Sequence, residues 1–300
     1  MRRSLHAVLA LFALACAALP QSAAAHPERH AHPALWRVES PHATIYLFGT
    51  VHLLPSGVTW FDGKVAQAFN HSDELVTEIV EPRPETMRAI VGEKALLPAG
   101  QELSAMLDPA DRQKLDAALA ANHLPAAAFA HFQPWYAAVA LATAPLMNIG
   151  YDPDSGVDSQ LSKRAAALGR PHDALETAEF QLGLFASLPL ATQKSYLMEV
   201  VRHLPEIRQE LAGIVRAWES GNAAGLAKLM NADEDDPQMT RVLLTDRNAN
   251  WAHWIAHRLA GSAGKPHETL FLAVGAGHLA GPGSVQDQLR GLGISSRRLQ

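Results

Sequence analysis

Cysteine is almost absent from this sequence of 300 residues, and its one cysteine is Cys16. Cys16 lies among the first 25 residues, which have the pattern of a cleaved segment. A chain without cysteine forms no disulfide bond and has no thiolate to act as a nucleophile or a metal ligand. The remaining chain must therefore be stabilised by packing, and any catalysis must use other side chains.

Long apolar runs are also absent, apart from one near the N-terminus. Arg2 and Arg3 precede an apolar run over residues 7–19, and small residues follow at positions 23–25. A positive start, a short apolar run and a small-residue site are typical of a secretory signal peptide. The run is shorter than the roughly 20 apolar residues that span a bilayer. We therefore expect cleavage after Ala25, a periplasmic or secreted product, and no transmembrane anchor in the mature form.

The sequence has no excess of positive charge. It contains 25 lysines and arginines against 30 acidic residues, a formal charge of −5. Loss of Arg2 and Arg3 with the signal peptide leaves 23 against 30, a formal charge of −7. An acidic protein is poorly suited to bind the phosphates of nucleic acids or anionic lipids. We expect no nucleic-acid partner.

The chain after residue 25 has the pattern of one domain with a short tail. Residues 26–33 (HPERHAHP) are polar and bounded by prolines, which predicts a disordered, histidine-rich tail. Two strand-like runs around a short turn, residues 35–38 and 43–48, predict a β-hairpin. Residues 74–80 and 269–274 also have strand character, and most of the sequence between them is helical in pattern. This order predicts an α+β fold over residues 34–300, with a central mixed β-sheet from N- and C-terminal strands and a large inserted helical layer.

Prolines and polar residues predict where several helices begin or end. Pro134 is expected to kink or break a helix over residues 126–144, and Pro205 to interrupt one over residues 191–220. Asp158 is expected to cap the helix that begins there. A calcium loop over residues 152–158 is the weaker alternative, because its glycine comes one position early.

Two motifs of the same design are the most informative part of the sequence. Residues 48–52 (FGTVH) leave one predicted strand, and residues 274–278 (VGAGH) leave another. In each, an apolar strand is followed by Gly-x-x-His, and glycine permits a tight turn and a close approach of the backbone. If the strands are neighbours, His52 and His278 lie together at a position where sites are commonly built. Two unrelated strand-end turns are the alternative.

A carboxylate adds to this candidate site. Glu78 lies in predicted strand 74–80 among apolar neighbours. Burial of a carboxylate costs several kcal/mol unless it is paired or binds a metal. Two histidines and a carboxylate with open positions suit a divalent metal, which activates water near neutral pH. We therefore expect His52, Glu78 and His278 to face one pocket as metal ligands.

These motifs resemble those of the TraB/PrgY/GumN family, which is related to the Tiki membrane metalloproteases. The resemblance spans residues 35–299, and its most specific part is the pair of Gly-x-x-His motifs with Glu78. Further matching residues support it: Gly156-Val157-Asp158, Leu175-Glu176-Thr177 with Gln181, and Arg247-Asn248 ahead of Trp251.

The resemblance implies a fold like that of the ChaN and erythromycin-esterase group. It also implies a metal-dependent hydrolase of the peptidase or amidase kind, with Mn, Co or Zn as the divalent metal ion. His52, Glu78 and His278 would lie in its site, Glu78 as a ligand or a general base, with Arg247 and Asn248 nearby. The expected substrate is a peptide or a small molecule.

Two of the candidate catalytic residues have a second interpretation. Arg247 could hold a substrate carboxylate or a developing oxyanion, or it could pair with a buried acid. Glu176 could face the site, or it could support the start of the helix near Ala178. The function has an alternative too, because an envelope protein of this composition could bind a metal, a haem-like ligand or a peptide without catalysis.

Overall fold

The computed structural model of the protein describes residues 29–147, 150–230, 236–261 and 266–300. The predicted signal peptide over residues 1–25, with Cys16, lies outside the described residues, and so do residues 26–28 of the predicted tail. Within the described ranges, no helix combines the length and apolar character that crossing a bilayer requires.

The described residues form ten short to medium strands. They are, in chain order, β1 (Arg29–His30), β2 (Leu35–Glu39), β3 (Ala43–Thr50), β4 (Leu54–Pro55), β5 (Val58–Thr59), β6 (Glu74–Thr77), β7 (Tyr151–Asp152), β8 (His172–Ala174), β9 (Glu268–Gly275) and β10 (Arg297–Arg298).

Helices make up most of the remaining described chain. The α-helices are α1 (Gly63–Asn70), α2 (Pro84–Lys94), α3 (Leu103–Met106), α4 (Pro109–Ala121), α5 (Pro134–Met147), α6 (Val157–Ala167), α7 (Ala178–Ala186), α8 (Leu190–His203), α9 (Ile207–Glu219), α10 (Ala223–Met230), α11 (Pro237–Thr240), α12 (Asp246–Ala260) and α13 (Val285–Gly291). Two 3-10 turns (Pro153–Ser155 and Ala276–Leu279) and a π-helix (Arg241–Thr245) complete them.

A six-stranded mixed sheet with the order β10-β2-β3-β9-β6-β8 forms the centre of the fold. Strands β3, β9, β6 and β8 are parallel, whereas β2 and β10 run antiparallel to their neighbours. The predicted hairpin is present as β2 and β3, and the C-terminal strand β9 lies between β3 and β6. The predicted α+β architecture, with helices inserted between the N- and C-terminal strands, is confirmed.

The two faces of the sheet are both apolar, as expected for parallel strands with helices on each side. Along β3, Ile45 and Leu47 pack with Trp251 of α12 and Leu289 of α13, and Phe48 packs on the opposite face. That opposite face is covered by the large helical layer. Alternation of side chains between the faces follows from the period of two in a strand. The sheet edge where the parallel strands end therefore lies between two helical layers.

The described part of the predicted tail is not disordered. Arg29–His30 pairs in parallel with β5, and Ala31 is fully buried. The backbone NH of Ala31 donates to Thr59 O (2.8 Å), and that of His32 donates to Glu219 O (2.7 Å). The prediction for residues 29–33 is therefore wrong. A polar composition does not reveal that the backbone itself is held in place by distant parts of the chain.

Of the two prolines expected to interrupt helices, Pro205 does so and Pro134 does not. Pro205 falls between α8 and α9, which confirms the predicted interruption. Pro134 does not kink a longer helix, because α5 begins at this residue, where a missing backbone NH costs nothing. The helix predicted to begin at Asp158 begins at Val157, and Gly156 is its N-cap. Asp158 therefore lies in the first turn, and its carboxylate binds elsewhere.

Candidate functional site

The carboxyl ends of four parallel strands meet at one edge of the sheet. Strands β3, β9, β6 and β8 end there, at Thr50, Gly275, Thr77 and Ala174. Parallel sheets usually bind ligands at this edge, because the chain leaves each strand there. The sequence places one candidate residue just past each of these strand ends: His52, His278, Glu78 and Glu176. Glu78 thus follows β6 immediately and does not lie within it.

Arg247 forms the centre of a buried charge network at this edge. Its NH2 group donates to Glu78 Oε2 (2.6 Å) and to Glu176 Oε2 (2.8 Å), and its Nε donates to Glu176 Oε1 (3.0 Å). Its NH1 group donates to Leu243 O (3.0 Å) in the π-helix that precedes α12. The Arg247 side chain is 1% exposed. Arg247 therefore acts here as the partner of two buried carboxylates, the second of its two interpretations.

His278 is held through both ring nitrogens. Its Nδ1 lies 2.6 Å from Asn248 Oδ1, and Asn248 Nδ2 donates to Gly283 O (2.8 Å), which assigns the orientation of the amide. Nδ1 therefore carries the proton, and the lone pair is on Nε2, which lies 3.1 Å from Arg247 NH1. The indole ring of Trp251 packs against the imidazole, with ring centroids 4.4 Å apart.

Glu78 connects two strand ends through its carboxylate. Its Oε1 accepts a hydrogen bond from the backbone NH of Gly275 (2.7 Å) and lies 3.8 Å from His278 Nε2. Its Oε2 accepts a hydrogen bond from Gln181 Nε2 (3.0 Å), which also donates to Glu176 Oε2 (2.9 Å). The strand ends of β6 and β9 are therefore fixed relative to each other by a charged group and not by packing alone.

Burial and neighbouring charges set the protonation of this network. Burial acts to raise the pKa of Glu78, but the charges of Arg247 and the two histidines outweigh it and lower this pKa to about 2. Burial, reinforced by Arg247, lowers the pKa of His278 to about 3. The charges of the two carboxylates raise the pKa of Arg247 against the effect of burial. At neutral pH, Glu78 is therefore ionised and His278 is neutral.

His52 is oriented by a residue from a different part of the chain. Its Nδ1 lies 2.8 Å from Asp158 Oδ2, the distance of an ion pair, although this oxygen accepts no hydrogen bond of good geometry from the described residues. The backbone NH of Val157 donates to Val51 O (3.0 Å). A Cβ on Gly156 would lie 2.2 Å from His52 O, so only glycine allows this approach. The Gly156-Val157-Asp158 segment therefore fixes both the backbone and the ring of His52.

The two Gly-x-x-His motifs contact each other directly. A Cβ added to Gly49 would lie 3.0 Å from the Cα of Ala276, so the first motif packs against the backbone of the second. The indole NH of Trp218 donates to Gly49 O (2.8 Å). The glycine of the first motif is thus required for close approach, and both motifs belong to one sheet edge.

Comparison with known proteins identifies the same family as the motifs do. The sequence matches the TraB/PrgY/gumN family over residues 34–298. The chain belongs to this family. A protein of Treponema pallidum (strain Nichols) that is described as uncharacterized is 20% identical over 296 residues, which cover 93% of this chain and 86% of that protein. No solved structure matches the chain.

The donor set of this TraB/PrgY/gumN protein has the chemistry of a divalent-metal site, but the ligand atoms of His52, Glu78 and His278 do not all lie within 4.8 Å of one another in this structure. Metal binding would require these side chains to move closer together, with one further condition. His52 and His278 each place Nδ1 beside a side-chain oxygen, the usual arrangement behind a metal-ligating imidazole. Glu78 is ionised and lies 3.8 Å from His278 Nε2. The condition is that Arg247 NH1 must release His278 Nε2. Elsewhere among the described residues, one group already has three ligand atoms within 4.8 Å of one another: His203, Glu206 and Glu210.

The predicted site residues thus divide into two groups in this family member. Glu78, Glu176, Arg247, Asn248 and His278 form one hydrogen-bonded network. His52 lies at the same edge, beside Asp158, and a positive charge on its ring would lower the pKa of both Glu78 and His278.

Gln181, Trp251 and Asp158 were not among the predicted catalytic or metal-binding residues. Gln181 and Trp251 both bind the carboxylate of Glu176, and Asp158 binds His52. All three residues lie in the segments that match the family, which could have indicated a role in the site. Gln181 is also a polar residue on an otherwise apolar helix.

Proposed function

We propose that this protein is an exported, metal-dependent hydrolase that cleaves amide bonds of peptides or of related small molecules. The observation that supports it most is the fixation of two imidazoles through Nδ1 beside an ionised carboxylate. Arg247 pairs with two buried carboxylates, Glu78 and Glu176, and Asp158 adds a third carboxylate beside His52, so the set has more carboxylates than arginines. That excess favours a cation.

His52, Glu78 and His278 would hold the metal in this proposal. A divalent metal there supplies Lewis-acid activation of water and of a carbonyl group. Glu78 suits the role of a ligand better than that of a general base, because a carboxylate with a pKa of about 2 accepts protons poorly at neutral pH. His278 is neutral at the same pH and offers its Nε2 lone pair.

The other residues of the network act as positioning groups. Asn248 keeps the proton of His278 on Nδ1, and Asp158 pairs with Nδ1 of His52. Arg247 keeps Glu78 ionised and in place, and Glu176 and Gln181 keep the guanidinium aligned. In this division of roles, Arg247 helps the reaction by organising the carboxylates, since its donors are already used by protein groups.

Metal analysis and a peptide-library assay test this proposal. The mature chain, purified from an exporting host, is stripped with a chelator and assayed with Mn²⁺, Co²⁺ or Zn²⁺. We expect turnover that depends on added metal and is lost in His278→Gln. His253→Gln is the matched control, because His253 is exposed on α12. Absence of turnover with all three metals, together with no bound metal at the His278 site, would contradict the proposal.

The burial of the network favours a second candidate, a non-catalytic envelope protein that binds a metal, a haem-like ligand or a peptide. Arg247, His278 and Glu78 are almost inaccessible to solvent, as groups with a structural or binding role can be. Glu78→Gln separates the two functions once circular dichroism has shown that the variant folds. Ligand binding that survives while turnover is lost supports the hydrolase. A wild-type protein that binds ligand but has no turnover supports the binder.

A further inference from the structure

A group of acidic residues surrounds a buried histidine at the corner between α8 and α9. The ligand atoms of His203, Glu206 and Glu210 lie within 4.8 Å of one another. Glu199, one helical turn before His203, places its Oε1 3.3 Å from His203 Nε2. None of these residues belongs to the network at the sheet edge. We call the four residues together the corner cluster.

His203 lies between two carboxylate oxygens. Its Nε2 lies 3.3 Å from Glu199 Oε1, and its Nδ1 lies 3.4 Å from Glu210 Oε1. A neutral imidazole has one NH, so one of its nitrogens would face an anionic oxygen with a lone pair. Either a second proton on the ring or a cation between the groups removes this repulsion.

The contact between His203 and Glu199 is buried. His203 is 8% exposed. The Oε1 atom of Glu199 is inaccessible to solvent and accepts no hydrogen bond from the residues that the structure describes. Arg202 donates to the other oxygen of Glu199 (3.0 Å) and neutralises one of the three carboxylates. The buried Oε1 atom of Glu199 still lacks a hydrogen bond among the described residues, which is costly away from water.

The local fold directs these side chains to one side. Pro205 separates α8 from α9, and the backbone NH of Glu206 donates to His203 O (2.8 Å) across the turn. Glu206 is the N-cap residue of α9, and Glu210 lies one turn later on the same face. The tight turn thus brings the ligand atoms of His203, Glu206 and Glu210 together, and Glu199 contacts His203 from the preceding turn of α8.

We propose that the corner cluster is a second divalent-cation site, separate from the site of the proposed hydrolase. One imidazole nitrogen with carboxylate oxygens suits Zn²⁺ or Mn²⁺ better than Mg²⁺ or Ca²⁺, which prefer oxygen ligands alone. The cation would connect α8 to α9 and so stabilise the helical layer. The proposal does not depend on the hydrolase activity, because the two sites share no residue.

Cation binding to the full mature chain tests the corner cluster. Zn²⁺ and Mn²⁺ are titrated by calorimetry into the chelator-stripped wild type and into the double variant Glu206→Gln/Glu210→Gln. We expect the double variant to bind one cation fewer, or to bind it about tenfold or more weakly. We also expect it to lose a cation-dependent rise in Tm. This drop of one equivalent appears whether or not the His278 site also binds a metal.

The matched control is the double variant Glu85→Gln/Glu93→Gln, which removes two exposed carboxylates from α2. The single variant Glu206→Gln guards against a folding defect, because Glu206 is exposed and its loss should leave the Tm unchanged in chelator. Equal stoichiometry and affinity in wild type and Glu206→Gln/Glu210→Gln would overturn the proposal. So would a doubly protonated His203 ring, seen by ¹⁵N NMR, that persists in excess Zn²⁺ and Mn²⁺.

Discussion

The imidazole of His52 and the carboxylate of Asp158 lie 2.8 Å apart, although one follows a β-strand and the other begins a helix in the middle of the chain. The contact connects the first Gly-x-x-His motif to α6. It also explains why the two preceding residues, Gly156 and Val157, pack on the backbone of the motif. The orientation of His52 is thus determined by a segment that contains no other candidate ligand.

We expect Asp158→Asn to lower turnover and metal affinity about 10–100-fold while the fold is retained, because an outer-shell partner orients its histidine. Kinetics over a range of metal concentrations measure both effects. Asp154→Asn is the matched control, since Asp154 is exposed and pairs with Lys163 on the surface. Equal behaviour of the two variants would show that Asp158 does not position His52.

Gly156→Ala should destabilise the protein by about 2 kcal/mol or more, because its Cβ would lie 2.2 Å from His52 O. The backbone angles at Gly156 are allowed for alanine, so the cost comes from the clash. Gly92→Ala in α2 meets nothing within 4 Å, and we expect it to stabilise the helix by up to about 1 kcal/mol. Urea unfolding compares the two. A small, similar effect of both variants would place residue 156 away from His52.

Arg247→Met leaves Glu78 and Glu176 buried without their partner and should cost about 3–5 kcal/mol of stability. Arg290→Met is the comparison, because Arg290 is exposed and pairs with Asp287 three residues before it. We expect a change within about 0.5 kcal/mol for this variant. Thermal unfolding of the two proteins measures the difference. Near-wild-type stability of Arg247→Met would mean that water reaches the network.

The stability of the metal-free protein should fall as the pH is lowered below 6.5. Burial lowers the pKa of His278 from 6.5 to about 3, so the unfolded state binds more protons between these values. The slope is at most about 1.4 kcal/mol per pH unit for this residue. Glu78 adds to the loss below its unfolded value of 4.5, because its pKa in the folded state is about 2.

The window from pH 5 to 6.5 isolates the histidine contribution. Urea unfolding in chelator should give a shallower pH dependence for His278→Gln than for the wild type in this window. His172, whose pKa is lowered chiefly by burial, contributes to both proteins and cancels in the comparison. Equal slopes would show that His278 is protonated in the folded state as readily as in the unfolded one.

The sheet was predictable from the sequence because its signals are local. Apolar runs with glycine after them identify β3 and β9, and an apolar run identifies β6, although this strand ends at Thr77 and not at the predicted residue 80. Parallel strand ends then bring His52, Glu78 and His278 to one edge without any knowledge of the helices. The resemblance to the family added Glu176, Arg247 and Asn248 to this set.

The partners of these residues were not predictable in the same way. Asp158 has the composition and position of a helix cap, and only its distance from His52 decides that it binds the imidazole instead. Gln181 bridges Glu78 and Glu176 from α7, and its contact with Glu78 joins side chains that are far apart in the sequence. The backbone pairing of residues 29–30 with β5 is of the same kind, since it depends on where two short segments lie in space.

The position of β9 between β3 and β6 has a consequence for how the molecule is assembled. The strand that joins the two halves of the sheet, β9, is synthesised after β3, β6 and the helices between them. Until it arrives, β3 and β6 have no common neighbour, and Glu78 lacks the amide of Gly275. Contacts of such long range slow folding. The growing chain therefore has no route to the finished sheet before residues 268–275 have been made, and a fragment that stops before residue 268 has neither a closed core nor a site.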